Sequence, residues 1–238
     1  MKRFSFVILA LIVVLLAGCA HNLKLSEEAK LKQELRKWES FSGSGIVEIS
    51  VFGFSMRKPF AIAKSLDEMR MDVVEGGLLG ATGSPLISMY LGEYFSLKSP
   101  LVPLLEAVNL GDNLPLGALS FFSSADNVVS RYGEEIIANK AIIRDSLQIN
   151  FSSDYKIESI VDKPSSFRID NTYTRKGDID EISFSSPKGI SAKFIFDGVD
   201  YERPQITVLP KNENRNLNIM DILNQGGTME LLKAFLGD

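Results

Sequence analysis

Gly45-Ile46-Val47-Glu48-Ile49-Ser50-Val51 sets Gly45, Val47, Ile49 and Val51 against Ile46, Glu48 and Ser50. A period of two is the signature of a strand with one face buried and one face wet. The same period continues outward from this stretch. Phe54, Met56, Phe60 and Ile62 share one face of a second run, and Met69, Met71 and Val73 alternate with Arg70 and Asp72 in a third. Pro59 has no N–H to give a ladder, which predicts an edge or bulged position for the second strand. Leu86–Tyr90 and Glu93–Lys98 read as a hairpin across Gly92. The second half of the chain repeats the pattern in Leu147-Ile149-Phe151, Tyr155-Ile157-Val161, Phe167-Ile169, Ile182-Phe184 and Ile190-Ala192-Phe194-Phe196. Turn residues such as Ser186-Pro187-Lys188-Gly189 separate these runs, so an antiparallel meander is expected.

Helical patterns surround and interrupt the strands. Ser26 can cap a helix whose first turn holds Glu27 and Glu28, where the helix dipole favours negative charge. Leu31, Leu35 and Trp38 then form one apolar stripe, so residues 26–40 read as an amphipathic helix. Its stripe is expected to dock on the chain's own core; a membrane-surface or partner-binding helix is the alternative. Residues 100–123 read as helical pieces broken by proline and glycine, with Leu101, Leu104, Leu105 and Val108 in one apolar patch and Leu116, Leu119 and Phe122 in another. Ile219, Ile222 and Leu223, then Met229, Leu232 and Phe235 beyond Gly226-Gly227, make a closing amphipathic stretch. The order helix, strands, helical insert, strands, helical tail predicts an α+β fold, a curved antiparallel sheet with helices on one face. Such a sheet leaves a concave apolar face that the central helices must fill or lid.

Reactive groups are scarce. The chain has 238 residues, a formal net charge of −4, one histidine and one cysteine. His21 stands alone near the N-terminus, so Ser-His-Asp, Cys-His and histidine-ligated zinc chemistry are not expected. Ser55-Met56-Arg57-Lys58 matches a Ser-x-x-Lys string, but it lies within a strand pattern without any supporting motif. Asp178, Asp180 and Glu181 after Gly177 lack calcium-loop spacing, and read as a solvated hairpin turn. Asp197 and Asp200 around Gly198 read the same way. The acidic balance gives no electrostatic footprint for nucleic acid. The expectation is a non-enzymatic binding protein without a metal or other cofactor.

Lys2 and Arg3 precede an uncharged apolar run from Phe4, which ends at Leu16-Ala17-Gly18-Cys19. This resembles a bacterial lipoprotein signal, in which the cysteine becomes the acylated N-terminus. The 16 residues from Phe4 to Cys19 fall short of the roughly 20 that a membrane-spanning helix needs. The expected organisation is a signal peptide at 1–18, an acylated tether at 19–25 and a single lipid-binding domain at 26–238. Cys19 would carry diacylglycerol and an N-acyl chain. Ala20, in place of the aspartate that retains lipoproteins in the inner membrane of enteric bacteria, favours the outer membrane.

Trp38-Glu39-Ser40-Phe41-Ser42-Gly43-Ser44-Gly45 entering a strand resembles the LolB family of outer-membrane lipoprotein receptors. So does Met69-Arg70-Met71-Asp72-Val73-Val74 running into a glycine-rich loop with Leu79-Gly80, and so does Asn113-Leu114-Pro115-Leu116-Gly117-Ala118-Leu119. The order holds from about Trp38 to Phe122, while the later strands share the LolA/LolB pattern only in general. The family's second tryptophan is missing, with Phe121-Phe122 near that place, and residues 126–145 are left unaligned with it. The resemblance implies a half-open barrel lidded by helices around an apolar cavity. It implies a protein anchored in the outer membrane and facing the periplasm that accepts acylated lipoprotein cargo from a LolA-type carrier and delivers it to outer-membrane lipid; nothing in the chain requires more than a monomer. By the same resemblance Leu79, with Leu78 as the close alternative, would be the membrane-insertion loop. Leu104, Leu105, Leu116, Leu119 and Phe122 are the candidate acyl-cavity and lid residues. Carriage of a phospholipid or glycolipid on the same fold, or a structural envelope role with a protein partner, are the alternatives.

Overall fold

A computed structural model describes residues 26–51, 54–75, 85–100, 108–109, 121–164, 166–186, 189–212 and 217–218. Helix α1 spans Glu27–Glu39, with the Ser26 hydroxyl accepting from the Ala29 N–H and Leu31 and Leu35 buried. Strands β1 (Ser40–Val51), β2 (Phe54–Ser65), β3 (Glu68–Val74), β4 (Pro85–Leu91) and β5 (Phe95–Lys98) follow, then the two-residue β6 (Val108–Asn109). Helix α2 covers Ala125–Asn139. Strands β7 (Ala141–Ile143), β8 (Leu147–Phe151), β9 (Ile157–Asp162), β10 (Phe167–Tyr173), β11 (Ile179–Ser186), β12 (Ile190–Asp200) and β13 (Leu217–Asn218) complete the described elements. Val108 therefore lies in a strand rather than a helical patch, because β6 pairs in parallel with β13.

One antiparallel sheet of 11 strands runs β5-β4-β3-β2-β1-β12-β11-β10-β9-β8-β7. It consists of two sequence-local meanders, β1–β5 and β7–β12, joined by the pairing of β1 with β12. The α+β reading of a curved antiparallel sheet with helices matches this architecture. Pro59 requires a correction. Strand β2 is internal, but its ladder with β3 begins only at Phe60 opposite Val73. Proline thus stands where β2 has lost its second neighbour, and its missing N–H leaves no gap.

The β1–β12 joint depends on Gly45. The register slips between Ser44 opposite Gly198 and Gly45 opposite Phe196, leaving Asp197 as an extra residue. A bulge of this kind bends the strand and increases its twist. Asp197 and Asp200 consequently belong to β12 and not to a hairpin turn, which corrects the sequence reading. At the slip the Ile195 carbonyl approaches Gly45 so closely that a Cβ there would lie 1.9 Å from its oxygen. The turn at Gly177 is a hairpin turn as expected, with φ at +87° and its N–H donating to the Thr174 carbonyl.

Two apolar clusters form. The first packs α1 and α2 on the β7–β10 end through Leu31, Leu35, Val128, Ile136, Ile142 and Ile149. The second lies over β1–β3 and β11–β12 around Val47, Phe60, Val73, Ile182 and Phe196. Trp38 and Ile169 touch both. Helix α2 is held by the Ser124 hydroxyl, which accepts from the Asn127 N–H, and by Glu39, whose carboxylate accepts from the Ala125 N–H. It ends at Lys140 in the left-handed conformation, with φ at 53°.

Beyond β12 the chain crosses the opposite, outer face of the β2–β5 half as an extended strap. Arg70 donates to the Thr207 carbonyl, Tyr94 to that of Leu209 and Ser96 to that of Pro210, while the Asn212 amide donates to the Leu97 carbonyl. Farther along the same outer face, Arg57–Glu48 and Lys193–Glu181 pair across strands in contact with solvent.

Gly45→Ala is expected to cost about 3 kcal/mol or more in urea unfolding, because backbone rather than a flexible side chain must move. Gly198→Ala, whose Cβ meets nothing within 4 Å, serves as the matched control and should stay within about 0.5 kcal/mol of wild type. Equal losses in both would show that the close approach at Gly45 does not constrain the joint.

Candidate functional site

The concave face of the sheet encloses a cavity of about 370 Å³. Its wall is contributed by α1, β1–β5 and β9–β12, with Phe122 from the segment before α2. Alternation delivers these side chains. Ile62, Met71 and Met89 stand in register across β2, β3 and β4, and Lys64, Met69 and Leu91 form the next row. On the other side Asn171, Ile182 and Phe194 are in register across β10, β11 and β12, followed by Ile169, Phe184 and Ala192. Phe194 meets Phe60 and Phe184 edge-on at 5.1 and 5.5 Å between ring centroids. Gly43 makes room for the Phe196 ring, which a Cβ would approach to 2.8 Å.

Among the described residues nineteen line the cavity, and Lys64 and Asn171 are the polar ones. The remainder are phenylalanine, methionine, isoleucine, leucine, one tryptophan and one alanine. Hydrocarbon walls exclude water, since a held water needs two or more polar partners. The methionines contribute unbranched, polarizable side chains that adjust to the shape of an occupant. Trp38 stands beside the cavity with its ring 6.1 Å from Phe41 and 6.2 Å from Phe122.

Lys64 is 2% exposed. Its aliphatic stem belongs to the wall, and its ammonium donates to the Glu39 carbonyl at 3.1 Å and the Leu66 carbonyl at 2.6 Å. Burial pushes its pKa down to about 8, against the opposing pull of the Glu39 and Asp67 carboxylates. The Asn171 amide donates to the Ile157 carbonyl at 2.9 Å, and the Tyr173 hydroxyl donates to the same oxygen at 2.7 Å. Burial raises the Tyr173 pKa, so the phenol remains a neutral donor.

Of the residues singled out from sequence, Phe122 is buried and lines the cavity. Cys19, Leu78, Leu79, Leu104, Leu105, Leu116 and Leu119 lie outside the described residues. Sequence reasoning missed Lys64 and Asn171. Each sits two residues from an apolar wall residue, Ile62 and Ile169 respectively, so a polar residue at an apolar register was the available signal. Among the described residues no group of three or more His, Cys, Asp or Glu is placed to hold a metal ion. Nor is any helix among them long and apolar enough to cross a membrane.

No protein-family model matches the chain. No curated protein is similar to it at a significant level. Solved structures with a similar course of chain include a candidate outer membrane lipoprotein-sorting protein domain from Vibrio parahaemolyticus, with 8% identity, 82% of this chain and 97% of that one covered, and a TM-score of 0.36. A LolA superfamily protein from Nitrosomonas europaea has 9% identity over 76% of this chain and 94% of its own, with a TM-score of 0.29. A DUF1329 family protein from Desulfovibrio piger has 8% identity, coverages of 78% and 95%, and a TM-score of 0.30. These are distant likenesses, and what the protein binds is to be sought in the chemistry of its own cavity.

Lys64 makes stability depend on pH in a defined window. The folded state releases this proton at about pH 8, the unfolded chain near 10.5, so between the two the unfolded chain holds more protons and stability rises with pH. Urea unfolding between about pH 7 and about pH 10.5 should show wild type gaining about 3 kcal/mol relative to Lys64→Met. A difference that does not change with pH would mean that the ammonium is not held away from water.

Proposed function

We propose that this protein binds acyl chains in the cavity under its curved sheet. In this reading it serves as a lipoprotein receptor of the outer membrane. The carrying observation is a cavity of about 370 Å³ walled by hydrocarbon, with two polar side chains among the nineteen described residues that line it. Each buried methylene is favoured over water by about 0.8 kcal/mol, so a chain of about fourteen methylenes is held out of water with on the order of 11 kcal/mol. The volume lies within the roughly 300–1,000 Å³ of ligand pockets. Non-covalent capture of this kind needs dry, adjustable walls and no reactive group.

The finer parts of the proposal come from the sequence. Acylated Cys19 anchors the protein in the outer membrane, facing the periplasm. Cargo is an acylated lipoprotein handed over by a LolA-type carrier. The Leu78–Leu79 loop contacts the bilayer while the cargo's acyl chains leave the cavity. A leucine pair between glycines, where turn chemistry expects polar residues, suits contact with lipid.

Ala192 is the smallest wall residue, so Ala192→Phe should fill the cavity and weaken a fluorescent fatty-acid probe by about tenfold or more with the circular dichroism spectrum retained. Unchanged affinity would place the acyl site elsewhere. Native mass spectrometry of protein starting at Ala20, with carrier and lipoprotein co-expressed, tests delivery. Stoichiometric cargo transfer that Leu79→Glu abolishes supports the receptor. Co-purified phospholipid or glycolipid without transfer supports a general lipid carrier, and a cavity that takes no lipid leaves a structural envelope role.

A further inference from the structure

Asn171 is 7% exposed and lines the cavity, and among the described residues its Oδ1 is the buried side-chain atom that no hydrogen-bond donor reaches. Rotating the amide does not relieve this. The Ile157 carbonyl can only accept, so the amide nitrogen must face it, and Oδ1 is turned away. Tyr173, the neighbouring donor, already gives its proton to that same carbonyl. The rest of the adjoining wall, Ile169, Ile182 and Phe194, is hydrocarbon. A lone water would have too few polar partners to be held there. A buried carbonyl oxygen left without a partner is destabilising, and a leucine at this position would incur no such cost.

We infer that Asn171 is a selectivity residue whose Oδ1 accepts a hydrogen bond from a neutral donor, a hydroxyl or an amide N–H, carried on the acyl chain that occupies the cavity. The inference rests on the acyl-binding reading and sharpens it. Hydrocarbon burial supplies affinity without discriminating between chains of equal length. One unpaired acceptor in a dry wall discriminates strongly, because a ligand without the donor leaves it unpaired. Hydroxylated acyl chains and N-acylated amines share this chemistry.

Two matched pairs of probes separate the sources. 3-Hydroxytetradecanoic acid against tetradecanoic acid tests the hydroxyl, and N-tetradecanoylglycine against its N-methyl analogue N-tetradecanoylsarcosine tests the amide. Affinities are measured by displacement of a fluorescent fatty acid from wild type and from Asn171→Leu. The expected result is that wild type prefers the donor-bearing member of one pair by about tenfold, and that Asn171→Leu loses the preference while still binding tetradecanoic acid. The wild-type comparison does not depend on how the variant folds. Acyl binding without discrimination in either pair overturns this inference and leaves the acyl cavity standing. A preference that survives in a folded Asn171→Leu assigns it to another residue and overturns the inference too. Failure of all four probes to bind overturns both readings.

Discussion

The pairing of β1 with β12 is the constraint on which the molecule depends. All other neighbours in the large sheet are close in sequence within one of two meanders, and each meander by itself exposes an apolar face. Only where Ser42–Val51 lies against Ile190–Asp200 do the two become one curved surface. That joint is tight on both sides of the chain. Gly45 admits the Ile195 carbonyl, and Gly43 admits the Phe196 ring. Bulk at Gly45 must move the partner backbone, and bulk at Gly43 must displace the Phe196 ring. The extra residue at Asp197 increases the local twist, so the joint also sets how sharply the two halves turn toward each other.

Curvature then creates the cavity. Alternation puts every second side chain of β1–β5 and β9–β12 on the concave side, where they converge instead of spreading over a flat layer. Of the described helices, neither α1 nor α2 fills this space. Leu31 and Leu35 of α1 and Val128 and Ile136 of α2 pack with each other and with β7–β9, leaving Trp38 at the boundary between the helical cluster and the cavity. A fold with fewer strands could bury the same helices. The wide sheet is needed only because part of its inner face stays uncovered by the described elements.

The strands were legible because half-burial writes a period of two directly into the sequence, as in Met69-Arg70-Met71-Asp72-Val73 and Ser191–Phe196. Helix α1 was legible from Ser26 and the Leu31-Leu35-Trp38 stripe. Helix α2 was not read, although Val128, Tyr132 and Ile136 follow helical spacing. Gly133 interrupts it, and Lys140 occupies a left-handed cap position that normally announces itself as glycine. The bulge at Asp197 looked like a turn because an aspartate beside glycine is turn chemistry, and only the partner strand shows otherwise. The alternating faces led to a concave apolar face, and the cavity itself was expected from the family resemblance. Lys64 and Asn171 were overlooked because each is one polar residue within an apolar register, and their meaning depends on the carbonyls of Glu39, Leu66 and Ile157, which the sequence does not bring together.

The strap across the outer face has a different kind of consequence. Its attachment uses the backbone carbonyls of Thr207, Leu209 and Pro210, which accept from side chains of the sheet and its turn, while at its start the Arg203 side chain donates to the Ser65 hydroxyl. At the far end Asn212 also acts as the donor, to the Leu97 carbonyl. Carbonyls are common to all residues, so this attachment places few demands on which side chains the strap carries, and Gln205, Thr207 and Val208 point into solvent. Evolutionary drift should therefore be uneven here. Arg70, Tyr94, Ser96 and Asn212, together with Arg203 on the Ser65 hydroxyl, should resist change, while the exposed positions Gln205, Thr207 and Val208 are open to diversification without loosening its hold.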